Sequence, residues 1–327
     1  MSREVIKKNF LDEHFGLGYN NNKLPADASF RSYERVDADG KTYILMDAPP
    51  HQEEEVLPFV KVGEFLYKND FSAPEIIKQD VKNGLLLLED FGNNHYSRVL
   101  SGQVENISES TLYRKAIDVL VKLHKTDVTI ELPIYDHQKL LEEGCLLTDW
   151  YFQAFNGEEL ASHFKDEYIE IWTKLLKSLR FPNNCLVLRD YHADNLMWLE
   201  DRVGHKKVGL LDFQDAVIGS VVYDMVSLLE DARRDVSDNV VQQMINYYIE
   251  ITNHNRKEFL ADYIILGTQR SCKILGFCAR KALRDNDPRY LKLLPRVWSY
   301  IRYHLNNPLL LPLRSWFDKV SITTLNS

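Results

Sequence analysis

Residues 187–198 read Val-Leu-Arg-Asp-Tyr-His-Ala-Asp-Asn-Leu-Met-Trp, a cluster of Asp, His and Asn enclosed by two short apolar runs. Short apolar runs bounded by turn formers predict buried strands, and Asp and Asn favour turns because their side chains bond nearby backbone. The sequence on either side carries helical periodicity. A strand, a polar loop and a second strand must therefore be embedded within a helical region.

The first ninety residues have a different texture. Residues 31–36 alternate in polarity, Asp37-Ala38-Asp39-Gly40 supplies a turn, and 41–47 return as a second strand ending at Pro49-Pro50. Residues 53–69 place Val56, Phe59, Val60, Phe65 and Leu66 at helical spacing, with a start expected near Pro58. Residues 75–81 and 85–88 form another hairpin about Asn83-Gly84. After Gly92, helices are expected over 110–125, 137–155, 160–179, 223–234, 237–252, 256–285 and 289–306. Short strand-like pieces at 185–188, 196–199 and 208–211 interrupt them. The pattern predicts an α+β chain of two lobes, with an antiparallel sheet in residues 1–92, a connector near 89–93 and a larger, mainly helical lobe over 93–327.

Apolar residues make up 45% of the chain, enough to bury a sizeable core. Lys and Arg number 40 against 48 Asp and Glu, so the net charge is 40 − 48 = −8, which argues against nucleic acid or an anionic membrane as partner. The N-terminal residues lack the apolar core of a signal peptide. Cys145, Cys185, Cys272 and Cys278 form no CxxC pair and sit among apolar residues, as reduced, buried thiols do. A cytoplasmic protein is expected.

The loop carries chemistry as well as a turn. Asp190 and Asn195 stand five positions apart, and a later apolar run ends in Asp212-Phe213. A lone Asp-x-x-x-x-Asn is explained by an Asx-rich turn; the second aspartate after the second strand favours function. The order resembles the catalytic and metal-binding loops of the protein-kinase-like superfamily, which includes aminoglycoside phosphotransferases and choline kinases. Phosphoryl transfer needs a carboxylate beside the acceptor hydroxyl and oxygen ligands for magnesium on the phosphates. The resemblance implies ATP and Mg²⁺, with Asp190 as base or orienting group and Asn195 and Asp212 as metal ligands. Asp90-Phe91-Gly92 repeats the metal-binding triplet of protein kinases but lies a hundred residues too early. Leu87 to Phe91 is better read as the hinge that meets adenine, mainly through backbone groups. No Ala-Pro-Glu segment follows Asp212, which points to a small-molecule acceptor.

Ala26 to Tyr33, Leu45 to Pro50, Leu87 to Gly92, Asp149-Trp150-Tyr151, Asp212 to Ala216 and Tyr223 to Arg233 are together similar to bacterial anomeric N-acetylmuramate/N-acetylglucosamine kinases. That resemblance implies a kinase acting on the C1 hydroxyl of amino sugars in peptidoglycan recycling; a monomer is expected. It implies nucleotide contacts from Ser29, Phe30, Arg31, Leu88, Glu89 and Phe91, and acceptor contacts from Asp149, Trp150 and Arg233. Trp150 and Tyr151 are equally readable as core aromatics. Asp224 is expected to brace the catalytic loop, and His192 to stabilise its turn or meet a metal.

Two positions depart from the superfamily pattern. Met46 stands where a lysine usually grips the phosphates, as it does in this branch, and Arg31 is the replacement candidate. Leu188 stands where the branch has histidine before Arg-Asp; that histidine props the loop, and leucine is expected to be tolerated. The alternatives are a kinase of another small alcohol, of aminoglycoside or choline type, or a non-catalytic nucleotide-binding protein.

Overall fold

The fold is taken from a computed structural model, which describes residues 2–25, 31–50, 56–103 and 107–320. In chain order come helix α1 (Arg3–Phe15), strands β1 (Tyr19–Lys23), β2 (Ser32–Ala38) and β3 (Lys41–Asp47), helix α2 (Leu57–Lys68), strands β4 (Ile76–Asp80) and β5 (Leu85–Glu89), and a single turn α3 (Tyr96–Arg98). Helices α4 (Glu109–Leu123) and α5 (His137–Gly144) lead to a wider π-helical turn (Leu147–Tyr151), then α6 (Phe152–Asn156) and α7 (Ser162–Lys177). Strands β6 (Cys185–Val187), β7 (Leu196–Trp198), β8 (Val208–Leu210) and β9 (Val217–Gly219) precede α8 (Tyr223–Leu229), α9 (Asp238–Thr252), α10 (Arg256–Arg284), α11 (Leu294–His304) and α12 (Leu311–Val320).

The chain divides into two compact units. The first comprises residues 1–119, 128–131 and 193–216; the second comprises 120–127, 132–192 and 217–327. In the first, an antiparallel sheet runs in the order β1-β2-β3-β5-β4. Strand alternation gives it two faces. Val36, Leu45, Leu85 and Leu87 pack against Phe10 and Leu11 of α1. The register pairs Tyr33 with Met46 and Met46 with Leu86, and Arg35 with Ile44 and Ile44 with Leu88, so these residues share the opposite face. The hairpin β7–β8 belongs to this unit. It is tied to the sheet end by Leu210 N–H donating to the Ser72 carbonyl (2.8 Å) and Ser72 Oγ donating to the Lys206 carbonyl (2.7 Å).

The second unit is helical, with β6 and β9 paired through Cys185–Gly219, Leu186–Ile218 and Val187–Val217. The long helix α10 runs through it, buried from Phe259 to Ala279 at most inward positions. The expected strands over 185–211 are present as parts of two separate pairs, β6 with β9 and β7 with β8.

Several expectations need correction. The continuous helix over 137–155 is broken into α5, the π-helical turn and α6. The helix begun at Tyr223 stops at Leu229, where Glu230 leaves helical geometry. Helix α1, polar strand β1, strand β9 and helix α12 were not expected, although α12 buries Leu313, Trp316, Phe317 and Val320 at helical spacing. Among the described residues no helix is long and apolar enough to cross a membrane.

Candidate active site

The loop after β6 is fixed from several sides within the second unit. Asp224, fully buried on α8, accepts the backbone N–H groups of Leu188 (Oδ2, 2.7 Å) and Arg189 (Oδ1, 2.9 Å). Ser227, one helical turn further on the same helix, donates its hydroxyl to the Arg189 carbonyl (2.9 Å) and accepts from Arg270 Nη2 (2.9 Å). The Arg189 guanidinium meets Glu143 of α5 at 2.6 Å, and Lys273 of α10 meets the same carboxylate at 2.6 Å. These ties hold Arg189 at φ 68°, a left-handed conformation that costs a non-glycine residue about 1–3 kcal/mol. The strained residue aims its neighbour Asp190. Leu188 is buried and is gripped through its amide, so its side chain has only to fill space.

Asp190 is solvent-accessible yet closely surrounded by protein. Desolvation is the largest single influence and pushes its carboxyl up, but Lys273, His192, Arg270 and Arg189 together pull harder, and the net shift is downward. The carboxylate is therefore ionised at neutral pH. In Asp224 the balance is reversed: burial pushes it up to about 7 against the pull of the two amides it accepts.

His192 is buried, and burial followed by the charge of Arg233 lowers its pKa, so the imidazole is neutral. Its Nε2 then accepts from Arg233 Nη1 at 3.0 Å. The buried Asp231 accepts the Arg233 backbone N–H at 2.8 Å. Asp149 and Trp150 lie on the π-helical turn, Asp149 exposed with Lys165 at 3.8 Å and Trp150 half-buried. Tyr151 is core: its hydroxyl accepts from the Trp298 indole at 3.0 Å.

The first unit holds the other set. Asn195 precedes β7, and Asp212 follows β8 at φ 56°. The hairpin brings them together across 17 positions, with Asn195 Nδ2 3.4 Å from Asp212 Oδ2. Gln214 donates to Asp212 Oδ1 at 2.7 Å. An amide and a carboxylate so placed are hard oxygen donors suited to magnesium, which takes few protein ligands and completes its shell with phosphates and water. Phe213 is buried, stacked on Phe59 of α2 with ring centroids 4.7 Å apart, and anchors the aspartate. Among the described residues no cluster of three His, Cys, Asp or Glu side chains could hold a metal alone.

Of the residues expected to meet nucleotide, Leu88 is buried on the sheet face away from α1, in line with Ile44 and Arg35. Glu89 ends β5, Phe91 lies two residues beyond it, and Arg31 is buried just before β2. Ser29 and Phe30 lie outside the described residues. Sequence inspection missed Glu143, Ser227, Arg270 and Lys273. No motif could have found them, because Glu143 and Ser227 reach Arg189 from α5 and α8, while Arg270 and Lys273 reach Ser227 and Glu143 from α10.

Residues 22–260 match the family model of the phosphotransferase enzyme family. The chain is 32% identical to the N-acetylmuramate/N-acetylglucosamine kinase of Caulobacter vibrioides, over 97% of this chain and 96% of that protein. It is 36% identical to the kinase of the same name from Pseudomonas aeruginosa, over 85% and 82% respectively. Among solved structures, the GDP complex of wild-type aminoglycoside 2'-phosphotransferase-IIIa is similar in fold, with a TM-score of 0.63 at 14% identity, over 90% of this chain and 99% of that one. A Plasmodium vivax ethanolamine kinase gives a TM-score of 0.60 at 13% identity, over 90% and 84%.

Proposed function

This chain belongs to the phosphotransferase enzyme family, and from that premise we propose that it transfers the γ-phosphoryl group of ATP to the C1 hydroxyl of N-acetylmuramate and N-acetylglucosamine. It is a small-molecule kinase. The observation that carries the assignment of chemistry is the convergence of Asn195 and Asp212 at the two ends of one hairpin. We place it as a monomer in the cytoplasm, in the recovery of cell-wall amino sugars.

In the proposed mechanism Asp190 accepts the C1 hydroxyl as a hydrogen-bond donor and aims its oxygen at the phosphorus. A carboxylate whose pKa is lowered is a weak base, which suits a loose transition state in which the proton moves late. A hemiacetal hydroxyl is more acidic than an ordinary alcohol, so a weak base suffices. Asn195, through its amide oxygen, and Asp212, through its carboxylate, are the residues that would hold magnesium. Bound there, the ion would offset the phosphate charge. Arg233, oriented by His192 and Asp231, would meet the lactyl carboxylate of N-acetylmuramate, while Asp149 and Trp150 would meet the sugar hydroxyls and ring face. Arg31 is the proposed phosphate cation, since a guanidinium binds phosphate through two donors.

The test is ³¹P NMR of products from Mg-ATP with N-acetylmuramate, N-acetylglucosamine, glucose, choline and kanamycin. An anomeric phosphate on the amino sugars alone supports the proposal, and phosphate on choline or kanamycin overturns the acceptor. Asp190→Ala should lower kcat by about 10²–10⁴-fold with little change in nucleotide affinity. Near-wild-type turnover would remove Asp190 from the mechanism.

A further inference from the structure

The premature Asp-Phe-Gly is left over from the chemistry above, and its surroundings in the first unit are unusual. Residues 89–93 read Glu-Asp-Phe-Gly-Asn. They are gripped by two arginines that come from distant parts of the sequence.

Arg35, on β2, takes Asp90 and the turn beyond it. Its Nη2 donates to Asp90 Oδ1 (3.1 Å) and to the Gly92 carbonyl (3.0 Å), and its Nη1 donates to Asn93 Oδ1 (2.9 Å). Its Nε lies 2.6 Å from Asp90 Oδ2 at an angle that makes the contact ionic, and Asp90 is almost wholly enclosed, with 3% side-chain exposure. Asp90 Oδ1 also accepts the Gly92 N–H at 2.8 Å, so the turn is closed on itself as well.

Arg202, in the connection from β7 to β8, takes the alternate side chains. It forms an ion pair with Glu89 and lies over the Phe91 ring, 5.0 Å from its centroid. Phe91 in turn packs on Gly209 of β8, where an added Cβ would stand 2.8 Å from the ring. Two further bonds join the same pieces, Trp198 N–H to the Asn94 carbonyl (2.7 Å) and His95 Nδ1 with the Asp194 carbonyl (2.9 Å).

We propose that Arg35 and Arg202 are positioning residues that hold segment 89–93 against the β7–β8 hairpin, so that the backbone receiving the nucleotide base keeps a fixed spacing from Asn195 and Asp212. The proposal rests on the nucleotide-binding reading above. Its physical basis is preorganisation. A five-residue segment containing Gly92 would otherwise be ordered only when nucleotide binds, and that ordering would be subtracted from affinity. The two arginines complete the ordering beforehand, one through Asp90 and the other through Glu89 and Phe91. Glu89 pairs in register with Tyr43, which packs on the α1 side of the sheet. Arg202 therefore acts from the side away from Leu88 and need not touch nucleotide.

The test is calorimetric titration with Mg-ATP, alongside steady-state kinetics in both substrates, for wild type, Arg202→Met, Arg35→Met and the exchange Glu89→Arg with Arg202→Glu. Each methionine variant should raise the Kd and KM for Mg-ATP by about five- to tenfold, the effect of losing a charge-assisted bond. KM for the sugar and kcat should stay within about twofold, because the proposed acceptor residues belong to the other unit. The charge exchange should recover most of the lost affinity. A fold defect would instead move both KM values and the melting temperature together, and the exchange variant would not recover. Unchanged Mg-ATP affinity in both methionine variants, with wild type binding normally, overturns the clamp and leaves the kinase assignment standing. Wild type that binds no nucleotide overturns the assignment and the clamp with it.

Discussion

Gly276→Ala tests how the proposed acceptor segment is positioned, because two elementary effects predict opposite signs. Gly276 lies inside α10, where replacing glycine by alanine ordinarily stabilises by about 1 kcal/mol through helix propensity. Here the new Cβ would stand 2.1 Å from the carbonyl carbon of Leu146, 2.3 Å from its oxygen and 2.5 Å from the nitrogen of Leu147. Ordinary contact between carbon atoms needs about 3.5–4 Å, so the two backbones would have to part by more than 1 Å. Neither side is a side chain that can change rotamer. The cost therefore belongs at or above the upper end of the ~1–3 kcal/mol range for overpacking. The net expectation is a loss of about 2 kcal/mol, or about 3 °C in melting temperature for a chain of this size. The segment pushed away begins the π-helical turn that carries Asp149 and Trp150. KM for the amino sugar should therefore rise several-fold while KM for Mg-ATP holds. Differential scanning calorimetry with steady-state kinetics reads both. A melting temperature that rises, as propensity alone predicts, would refute the reasoning.

Two other outcomes follow from the same geometry. Leu188→Met should keep kcat/KM within about threefold, since volume-conserving swaps cost little and Asp224 grips only the amide; Asp224→Ala should lower kcat by at least tenfold through loss of two bonds that aim the loop. Equal losses in the two variants would mean that the side chain at 188 matters after all. The second concerns acid stability. Burial pushes the His124 imidazole down to about 3, where its Nδ1 pairs with the Tyr248 hydroxyl at 2.7 Å. A base whose folded pKa is depressed contributes stability that is present above its unfolded value, about 6.5, and is lost as pH falls towards 3. Between pH 7 and pH 5 the loss is about 2 kcal/mol and barely depends on the exact folded value. Urea titrations of wild type and His124→Asn at both pH values read the difference; equal pH dependence in the two proteins would show that the imidazole is not the group responsible.

How much was legible beforehand follows from where each signal resides. Helices α4, α9 and α10 were readable because their apolar faces repeat at helical spacing within one segment, and β3 and β5 because apolar residues run between turn signals. Helix α1 was not, because Lys7 is buried on its inner side and paired with Glu34 of β2, so the apolar stripe is interrupted at a position that only the sheet can satisfy. Strand β1, Tyr-Asn-Asn-Asn-Lys, has no apolar alternation because it is an edge strand paired only with β2. The break in the 137–155 helix has its counterpart in Gly276, about 130 positions away, where α10 approaches so closely that an ordinary residue would not fit.

The sequence by itself determined which atoms are available for the proposed chemistry. Asp190, Asn195 and Asp212 are legible because their types and spacing are local facts, and two short strands suffice to bring an amide and a carboxylate together. Only the tertiary structure decided the state and aim of those atoms. Whether Asp190 is ionised depends on Lys273 and Arg270 from α10 outweighing desolvation, and whether its loop holds a strained turn depends on Asp224, Ser227 and Glu143 from α8 and α5. Electrostatic work and hydrogen-bond geometry depend on distance through space, and distance through space is the one quantity that spacing along a chain leaves open.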